Sequence, residues 1–339
     1  MRKVRVQDAV GLKLCHDITK VVPGQFKGPA FKRDHVIREE DIEELLNLGK
    51  EHIYVWEDNV DEIHEDDAAI RIAKAVKGKN LCYTETQEGK TSLLASVRGL
   101  LKIKSSLLFE VNSVEDVTVT SLPNNFQVEV EQKVAAARIV PLVTQEKNIQ
   151  KVEDLCVLHG PIFNVEPYQK LKVGIVITGS EVYKGRIKDK FGPVIKKKME
   201  FFEAEILGQE FCMDDIGYIE EKILNFKEKG ADLIIVTGGM SVDPDDLTPG
   251  AIRNTGAKVI TYGVPAQPGN MFMMAYLDGI PVLGVPGAAT YFKTTVLDTV
   301  LPRIFIGEVL TKNDFIAMGE GGLCSQCQMC QYPNCYFGR

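Results

Sequence analysis

The second half of the sequence predicts an α/β fold class, namely a doubly wound, mainly parallel sheet with helices on both faces. Continuous apolar runs recur in it, at VGIVIT (Val173 to Thr178), DLIIVT (Asp232 to Thr237) and GIPVLGV (from Gly279). Such runs are typical of strands that are buried on both faces. Segments with helical spacing of apolar residues, such as GPVIKKKMEFFEA, lie between these runs. Strands and helices that alternate over such short distances predict a parallel sheet covered on both sides.

The other elements of this domain, which we place at residues 171–310, follow in order. EILGQEF and KVITYGV are expected to be strands, and a helix is expected around Gly217–Lys229. Two further apolar stretches, MFMMAYL (from Met271) and YFKTTVLDTVLPRI (from Tyr291), are predicted to be helical.

The first part of the chain predicts an N-terminal α+β region. Residues 1–60 are expected to form a small domain in which the strands VRV and HIYVW flank a helix between Arg38 and Gly49. Residues 61–170 are expected to be a mixed α/β region and linker. Within it, we predict helix for most of residues 67–110, including TSLLASVRGLLKI from Thr91, and extended segments for residues 113–144.

Composition and charge narrow the function classes. The 339 residues carry 40 lysines and arginines against 47 aspartates and glutamates, a net charge of −7. A general nucleic-acid binder would normally show a basic excess, so nucleic acid is not an expected partner. The start, MRKVRVQDAVG, has no apolar core of a secretory signal, and no apolar run approaches the roughly 20 residues that span a bilayer. We therefore expect a cytoplasmic protein that does not bind membranes.

Two predicted strands end in glycine-containing loops. One loop is TGSE (Thr178 to Glu181), and the other is TGGMS (Thr237 to Ser241). Ligands of open parallel sheets bind beyond the carboxyl ends of the strands, where glycine lets backbone N–H groups approach an anion and hydroxyls add donors. Two such loops in one sheet predict a pocket for a phosphate-bearing molecule. The alternative is that the glycines only make tight turns.

Acidic residues accompany these loops. Asp243, Asp245 and Asp246 follow the second loop, and the pair Asp214-Asp215 follows the strand EILGQEF. Three carboxylates beside a phosphate would repel it unless a divalent cation lay between them, and oxygen ligands suit Mg²⁺. Asp243 and Asp246 are therefore candidate magnesium ligands. The alternatives are a solvated turn for the first group and a helix N-cap for the second.

Two further glycine turns complete the predicted edge of the sheet. PGAA (Pro286 to Ala289) ends the last apolar strand, and QPGN (Gln267 to Asn270) precedes MFMMAYL. Both are predicted to be strand-to-helix joints, so we expect four loops at one edge of the sheet.

With these motifs in this order, residues 171–306 resemble the molybdopterin-binding domain of molybdenum-cofactor biosynthesis proteins, and the molybdopterin molybdotransferases most of all. TGSE resembles the family's STGDE-like loop, TGGMSVDPDD its SGGVSVGxxD loop, MDD (from Met213) its RDD segment, and GVPGAA (from Gly284) its GLPGNP segment. Order and spacing together make the resemblance specific, whereas no single motif does.

The resemblance implies a function and the residues that carry it. Proteins of this family bind molybdopterin, hydrolyse its adenylylated form with release of AMP, and insert molybdate with the help of a divalent cation such as Mg²⁺. Glu181, Asp214 and Asp246 would be the catalytic carboxylates. The implied cofactor-binding residues are loop positions: Thr178, Gly179, Ser180, Thr237, Gly238, Gly239, Ser241, Pro286 and Gly287. A homo-oligomer is also implied, with partners among other cofactor-biosynthesis proteins or molybdoenzymes.

The sequence departs from the family's pattern in three places. Gln267 and Asn270 replace the two lysines of the family's KPGKP segment, Ala288-Ala289 replaces the final Asn-Pro of GLPGNP, and the first half has no MDGYA-type segment. Two other functions therefore stay open. One is a non-catalytic carrier or redox sensor for molybdopterin or the molybdenum cofactor, and the other is a nucleotide-pyrophosphate hydrolase on the same domain.

Residues 311–339 are predicted to be a cysteine-rich, metal-binding tail. Four of the eight cysteines lie in it with the spacing C-x2-C-x2-C-x4-C, at Cys324, Cys327, Cys330 and Cys335. Four thiolates this close can hold tetrahedral Zn²⁺ or a cubane iron–sulfur cluster. The spacing is one residue longer than the ferredoxin run and differs from the paired knuckles of most zinc sites. An iron–sulfur cluster, zinc and a metal-free tail all stay open.

Overall fold

The chain divides into two compact units. The computed structural model describes residues 1–22, 26–56 and 61–338. Unit 1 contains Met1–Ser96, Ile103–Leu122 and Glu131–Asn164, and unit 2 contains Val97–Lys102, Pro123–Val130 and Val165–Arg339. In the part of the chain that the structure describes, every helix is too short or too polar to span a bilayer.

The N-terminal residues fold into small sheets with one helix, as predicted. The elements up to residue 64 are β1 (Arg2–Arg5), β2 (Ile18–Val22), β3 (Phe26–Phe31), α1 (Asp41–Asn47), β4 (His52–Val55) and β5 (Glu62–His64). β1 pairs with β4 and β2 pairs with β3, each in antiparallel fashion. Val6, Leu45 and Ile53 are buried in the core that these elements share. The predicted domain boundary at residue 60 lies outside the described residues.

Strands and helices alternate in the next segment. They are α2 (Glu65–Val76), β6 (Leu81–Tyr83), β7 (Lys90–Ala95), β8 (Gly99–Ile103), α3 (Ser105–Asn112), β9 (Val117–Ser121), β10 (Phe126–Val128), β11 (Lys133–Ile139), β12 (Val143–Gln145), α4 (Glu146–His159) and β13 (Phe163–Pro167). An antiparallel sheet of unit 1 has the strand order β6-β7-β11-β9. Residues 113–144 contain the extended segments that the sequence predicts.

The prediction of helix for most of residues 67–110 is wrong: only α2 and α3 are helical there, and the stretch from Thr91 forms the two strands β7 and β8. β7 pairs with β6 on one side and β11 on the other, and consecutive residues Thr91, Ser92 and Leu93 are all buried. A strand with both faces covered lacks the alternation of apolar and polar residues that would distinguish it from a helix. The leucines of this stretch therefore fit a helical spacing by coincidence.

Unit 2 is built on a six-stranded sheet. After β13 its elements are β14 (Lys172–Thr178), α5 (Ser180–Tyr183), α6 (Phe191–Phe201), β15 (Glu205–Cys212), α7 (Ile216–Glu228), β16 (Leu233–Thr237), α8 (Thr248–Asn254), β17 (Lys258–Tyr262), β18 (Met273–Leu277), β19 (Ile280–Val285), α9 (Val296–Phe305) and α10 (Lys312–Ile316). The strand order is β15-β14-β16-β19-β18-β17. β15, β14, β16 and β19 pair in parallel, whereas β18 pairs antiparallel with both β19 and β17, so that β18 alone of the six runs in the opposite direction. The predicted mainly parallel sheet is confirmed.

Helices cover both faces of this sheet, as the doubly wound fold requires. Ile175 and Ile177 of β14 face one core, which includes side chains of α6 and α9. Val176 of the same strand faces a second core, which includes Ile219 and Ile223 of α7. Residues of one strand thus alternate between two apolar layers, which explains the unbroken apolar run of residues 173–177.

The helix predicted for MFMMAYL is also wrong, because residues 273–277 form the antiparallel strand β18. Met274 is buried in the first core and Met273 and Ala275 in the second, so both faces of the strand are apolar. Asp278 and Gly279, both with positive φ, turn the chain from β18 into β19. An Asp-Gly pair between two apolar runs is a strong hairpin signal.

Candidate functional site

The four predicted glycine loops lie at one edge of the six-stranded sheet, here called the carboxyl edge. TGSE follows β14, TGGMS follows β16 and PGAA follows β19, three strands that run parallel. QPGN connects two strands, β17 and β18, and not a strand to a helix as predicted. It still reaches the same edge, because β18 is antiparallel and its first residue, Met273, lies opposite Gly284 near the end of β19.

The first two loops approach each other very closely. Gly238 has φ +90°, and a Cβ atom there would lie 2.5 Å from the carbonyl oxygen of Thr178 and 2.6 Å from its hydroxyl oxygen. The Thr248 hydroxyl donates a hydrogen bond of 2.8 Å to the Gly238 carbonyl. Gly239 has φ +55°, and its Cβ would lie 3.0 Å from the same Thr248 hydroxyl. Both glycines are therefore required by backbone conformation and by space.

Thr237, at the end of β16, has a buried hydroxyl with no hydrogen-bond partner among the described residues. Burying an unpaired hydroxyl costs about 1–3 kcal/mol, so such groups are uncommon in folded proteins. On the neighbouring strand β14, Ile177 lies opposite Thr237, and the residue after it, Thr178, is also buried. Two hydroxyl-bearing side chains thus lie at adjacent strand ends, beside the two glycine loops.

Asp214 and Asp215 have different roles, although they are adjacent in sequence. Asp214 follows β15, and its carboxylate accepts a hydrogen bond of 2.8 Å from the Ser180 N–H in the first loop. The Asp214 N–H donates in return to the Ser180 hydroxyl, at 3.3 Å. Asp215 is the N-cap of α7 and accepts from the N–H groups of Gly217 and Tyr218. The capping alternative is correct for Asp215, whereas Asp214 ties the first loop to the end of β15.

The remaining predicted acidic residues lie on the surface of the same edge. The Asp246 carboxylate accepts from the Asp243 N–H at 3.1 Å, which closes a turn after the second loop. Glu181 is exposed at the start of α5, and Ser241 and Gly287 are also exposed. Across residues 1–22, 26–56 and 61–338, no three His, Cys, Asp or Glu side chains are placed to hold one metal ion. The magnesium assignment of Asp243 and Asp246 therefore stays a prediction.

Sequence reasoning missed Tyr262, which ends β17 at the carboxyl edge. Its hydroxyl donates to the carbonyl oxygens of Met240 and Ser241, at 3.0 and 3.1 Å. Burial raises the pKa of this phenol. The guanidinium of Arg253 lies over its ring, 5.5 Å from the centroid. Tyr262 thus fixes the second loop from the far side of the sheet, a contact that no local sequence signal reveals.

Sequence reasoning also missed a basic segment, KGRIKDK (residues 184–190), between α5 and α6. Its cationic side chains, Lys184, Arg186, Lys188 and Lys190, are all exposed. The segment stays close to the first loop, because the Arg186 N–H donates to the Glu181 carbonyl at 2.8 Å. Four cations against the one carboxylate of Asp189 make it locally positive. The acidic balance of the whole chain conceals this segment.

The positions where the family's lysines are missing are held in place by main-chain contacts. The Asn270 carbonyl accepts from the Val264 N–H at 2.8 Å, and Gln267 bonds through its own backbone to the C-terminal tail. Gly269 has φ +103°, and a Cβ there would lie 3.2 Å from the Val296 nitrogen at the start of α9. The side chains of Gln267 and Asn270 are exposed.

The four tail cysteines are distant from the glycine loops in sequence. They lie close to one another in space. Cys324, Cys327, Cys330 and Cys335 line a single pocket, which residues 291–294 also line. All four thiols are free.

Comparisons with known proteins match parts of the chain. The family described as "Probable molybdopterin binding domain" matches residues 174–305, and a "Domain of unknown function (DUF8806)" matches residues 3–57. The CinA-like protein of Mycobacterium tuberculosis is 38% identical over 77 residues, which are 23% of this chain and 18% of that protein. The molybdopterin molybdenumtransferase of Haemophilus influenzae is 27% identical over 150 residues, which are 42% of this chain and 37% of the enzyme. The chain thus spans well under half the length of these relatives.

Solved structures that match include the molybdopterin biosynthesis enzyme MoaB of Thermus thermophilus, at 19% identity and a TM-score of 0.33 over 41% of this chain and 98% of that one. The protein CinA of Thermoplasma acidophilum matches at 15% identity and a TM-score of 0.33, over 40% of this chain and 98% of that one. Together with the ordered glycine loops and the sheet that carries them, the family match identifies residues 174–305 as a divergent member of the molybdopterin-binding domain family.

Proposed function

We propose that this protein binds molybdopterin, free or adenylylated, at the carboxyl edge and acts in molybdenum-cofactor biosynthesis. The observation that carries the proposal is the close approach of the two glycine loops at Gly238 and Thr178. It brings turn N–H groups and hydroxyls together, an arrangement that binds anionic oxygens such as those of a phosphate. The unpaired hydroxyl of Thr237 would gain a partner from such an anion. The family match of residues 174–305 supports molybdopterin as the anion's source.

The basic segment of residues 184–190 supplies the positive charge that the family's missing lysines would have supplied. Lys184, Arg186 and Lys188 are exposed beside the first loop. Their attraction for a phosphate acts over about 8 Å at physiological ionic strength. The replacement of lysine by Gln267 and Asn270 is therefore compatible with binding of a phosphorylated pterin.

We further propose that the protein releases AMP from adenylylated molybdopterin as molybdate is inserted. Mg²⁺ is normally bound by one or two carboxylates, with substrate phosphates and water as the other ligands. Asp243 and Asp246, whose turn is closed by a hydrogen bond of 3.1 Å, fit this requirement without a third protein ligand. When bound, Mg²⁺ would neutralise charge on the phosphate oxygens. Glu181 is exposed at the same edge and fits the role of a base for water, whereas Asp214 positions the first loop.

AMP release is the assay that separates this function from its alternatives. The full chain is mixed with adenylylated molybdopterin, molybdate and Mg²⁺ under anaerobic conditions, and AMP is measured. Molybdate-dependent release supports the transferase. Tight binding without release favours a carrier or sensor. Hydrolysis of simple nucleotide pyrophosphates without pterin favours the hydrolase. This alternative stays open because the chain also matches a CinA-like protein.

The wider assignments belong to the same proposal. We infer a cytoplasmic homo-oligomer whose partners are other cofactor-biosynthesis proteins or molybdoenzymes. These assignments draw on the resemblance of residues 171–306, since the chain spans 37% of the molybdenumtransferase that it matches.

A further inference from the structure

The C-terminal tail forms a sulfur-lined pocket that the proposed function does not use. Cys324, Cys327, Cys330 and Cys335 line a cavity of about 240 Å³. Lys293 and Thr294, which follow β19 and the PGAA turn, line the other side. All five histidines of the chain precede residue 160, so a metal in this cavity would be ligated by sulfur.

The protein itself already holds the tail around this cavity. At its start, the Cys324 N–H donates to the Gln267 carbonyl at 2.8 Å, and the Gln267 N–H donates to the Gly322 carbonyl at 2.7 Å. At its end, Phe337 is only 2% exposed, and the Gly338 N–H donates to the Gly321 carbonyl at 3.1 Å. The conformational entropy of this loop is therefore already lost when the chain folds, so a ligand that binds here would not have to order it.

A third attachment lies between these ends. The Tyr332 hydroxyl donates to the Asp298 carbonyl in α9, at 2.8 Å. It fixes the chain between the third and fourth cysteines. All four cysteines thus lie within a loop that is tied at its start, middle and end.

Hydroxyl groups lie beside two of the thiols. The Thr294 hydroxyl, in a residue that is 7% exposed, lies 3.1 Å from the Cys330 sulfur. The Ser325 hydroxyl lies 3.3 Å from the Cys327 sulfur. Donors of this kind stabilise bound thiolates and tune the reduction potential of iron–sulfur clusters. Among residues 320–338, no three of the thiols are placed to hold one metal ion, so a bound cluster would require the cysteine side chains to move.

We propose that the four tail cysteines bind a cubane 4Fe–4S cluster in this cavity. Three cysteines at successive x2 spacings, followed by a fourth after four residues, resemble a ferredoxin run that is one residue longer, more than they resemble two separated zinc knuckles. Lys293 offers a positive charge to the anionic cluster. Binding is ligand exchange: each cysteine thiol passes its proton to a departing thiolate of a preformed cluster, and a Cys Sγ–Fe bond replaces the bond that breaks. No net oxidation or reduction takes place.

The test uses the full chain and a synthetic 4Fe–4S cluster with simple alkanethiolate ligands, added under anaerobic conditions. Iron, acid-labile sulfide and zinc are measured in the chain after gel filtration, and again in the chain as isolated anaerobically from cells. We expect iron and sulfide in equal amounts, with visible absorption that bleaches on reduction. Zinc without sulfide, or four titratable thiols with neither metal after exchange, would overturn the proposal.

Matched variants separate a ligand role from a folding role. Cys330→Ser and Cys327→Ser should each lose most of the iron, whereas Cys82→Ser, which alters an exposed free cysteine of unit 1, should retain it. Thr294→Val keeps all four thiols and the side-chain shape. It should keep the iron and lower the cluster's reduction potential, because a donor to the sulfur is removed. Retention of iron by both tail variants would contradict the assignment.

Discussion

Gly238 determines how closely the two glycine loops approach. Its φ of +90° and the 2.5 Å separation between its virtual Cβ and the Thr178 carbonyl are independent reasons for glycine. Together they make this position more demanding than an ordinary glycine turn. The proposed anion site depends on this approach, since a larger residue at 238 would push the two strand ends apart.

Gly238→Ala should therefore weaken molybdopterin binding tenfold or more and destabilise the fold by about 1–3 kcal/mol. Titration calorimetry and urea unfolding measure the two effects. Gly256→Ala is the matched control, because Gly256 has φ +84° but no atom within 4 Å of a virtual Cβ. It should lose some stability and no affinity. An equal loss of affinity in both variants would show that backbone strain alone, and not the loop contact, is responsible.

The pair Asp214-Asp215 offers a second matched test. Asp214→Ala leaves the Ser180 N–H without its acceptor and should weaken binding about tenfold, which corresponds to about 1.4 kcal/mol. Asp215→Ala removes the N-cap of α7 and should cost about 1 kcal/mol of unfolding free energy while leaving affinity unchanged. If both variants bind molybdopterin as the unchanged protein does, Asp214 does not position the site.

Asp246 should matter for turnover rather than for binding. Asp246→Asn keeps the side-chain size but removes a charge that would otherwise help to hold Mg²⁺. We expect AMP release to fall at least a hundredfold, with molybdopterin affinity equal or higher because a repulsion of phosphate is removed. Asp245→Asn, one residue earlier in the same turn, is the control. Unchanged AMP release by Asp246→Asn would refute the assigned role.

At the scale of elements, the basic segment between α5 and α6 is the feature that distinguishes this edge electrostatically. Reversing three charges in it, Lys184→Glu, Arg186→Glu and Lys188→Glu together, should weaken ligand binding at least tenfold. The difference should shrink as salt is raised, because the segment is exposed and its field is screened. Lys258→Glu, at the start of β17 and hence at the opposite edge of the sheet, should have little effect. Equal affinity of the triple variant at low salt would exclude the segment.

A comparison of the elements shows which parts of the fold can be predicted from the sequence. β14 and β16 are recognisable because both of their faces are buried, which explains the apolar runs of residues 173–177 and 233–236. The same property hides β7 and β18, since a short apolar run without alternation fits a helix equally well. The Asp278-Gly279 turn was the local signal that could have identified β18 as one strand of a hairpin.

The candidate site, too, can be predicted from the sequence only in part. Glycine, threonine and aspartate at the ends of parallel strands predict the two loops, because strand direction alone brings them to one edge. Tyr262 could not be found in this way, since its contact with the second loop depends on the pairing of β17 with β18. The sequence also does not show that Asp214 binds the first loop whereas Asp215 caps α7. Only the three-dimensional contacts distinguish these two roles.

At the scale of the molecule, a partly buried ion network is expected to make unit 2 less stable in acid. Arg303 in α9, whose side chain is 9% exposed, pairs with both Glu308 and Asp314. Burial alone would raise the pKa of Asp314, but hydrogen bonds from Thr311 and Arg303 lower it to about 2. Burial alone would also raise the pKa of Glu308. Hydrogen bonds from Arg303 and Lys102 outweigh this effect, so the pKa of Glu308 is lowered.

Because these pKa values are lower in the folded than in the unfolded chain, the stabilisation is complete above about pH 5 and is lost as pH falls from about 4 towards 2. Asp314→Asn should cost about 1–3 kcal/mol of unfolding free energy at pH 7, and the difference from the unchanged protein should vanish near pH 2. Urea unfolding over this pH range measures it. Asp278→Asn, which alters a pair with Lys227 whose aspartate is 74% exposed, should change stability by less than about 0.5 kcal/mol. A pH-independent difference for Asp314→Asn would contradict the assignment.

The proposed function depends on molybdopterin binding at the carboxyl edge of unit 2. Hydrogen–deuterium exchange of the full chain, with and without molybdopterin under anaerobic conditions, tests it most directly. We predict slower exchange on binding in peptides that cover residues 178–190, 237–248 and 286–294, and unchanged exchange in β7 and β11 of unit 1. No change at saturating pterin, or protection confined to unit 1, would contradict binding at the carboxyl edge.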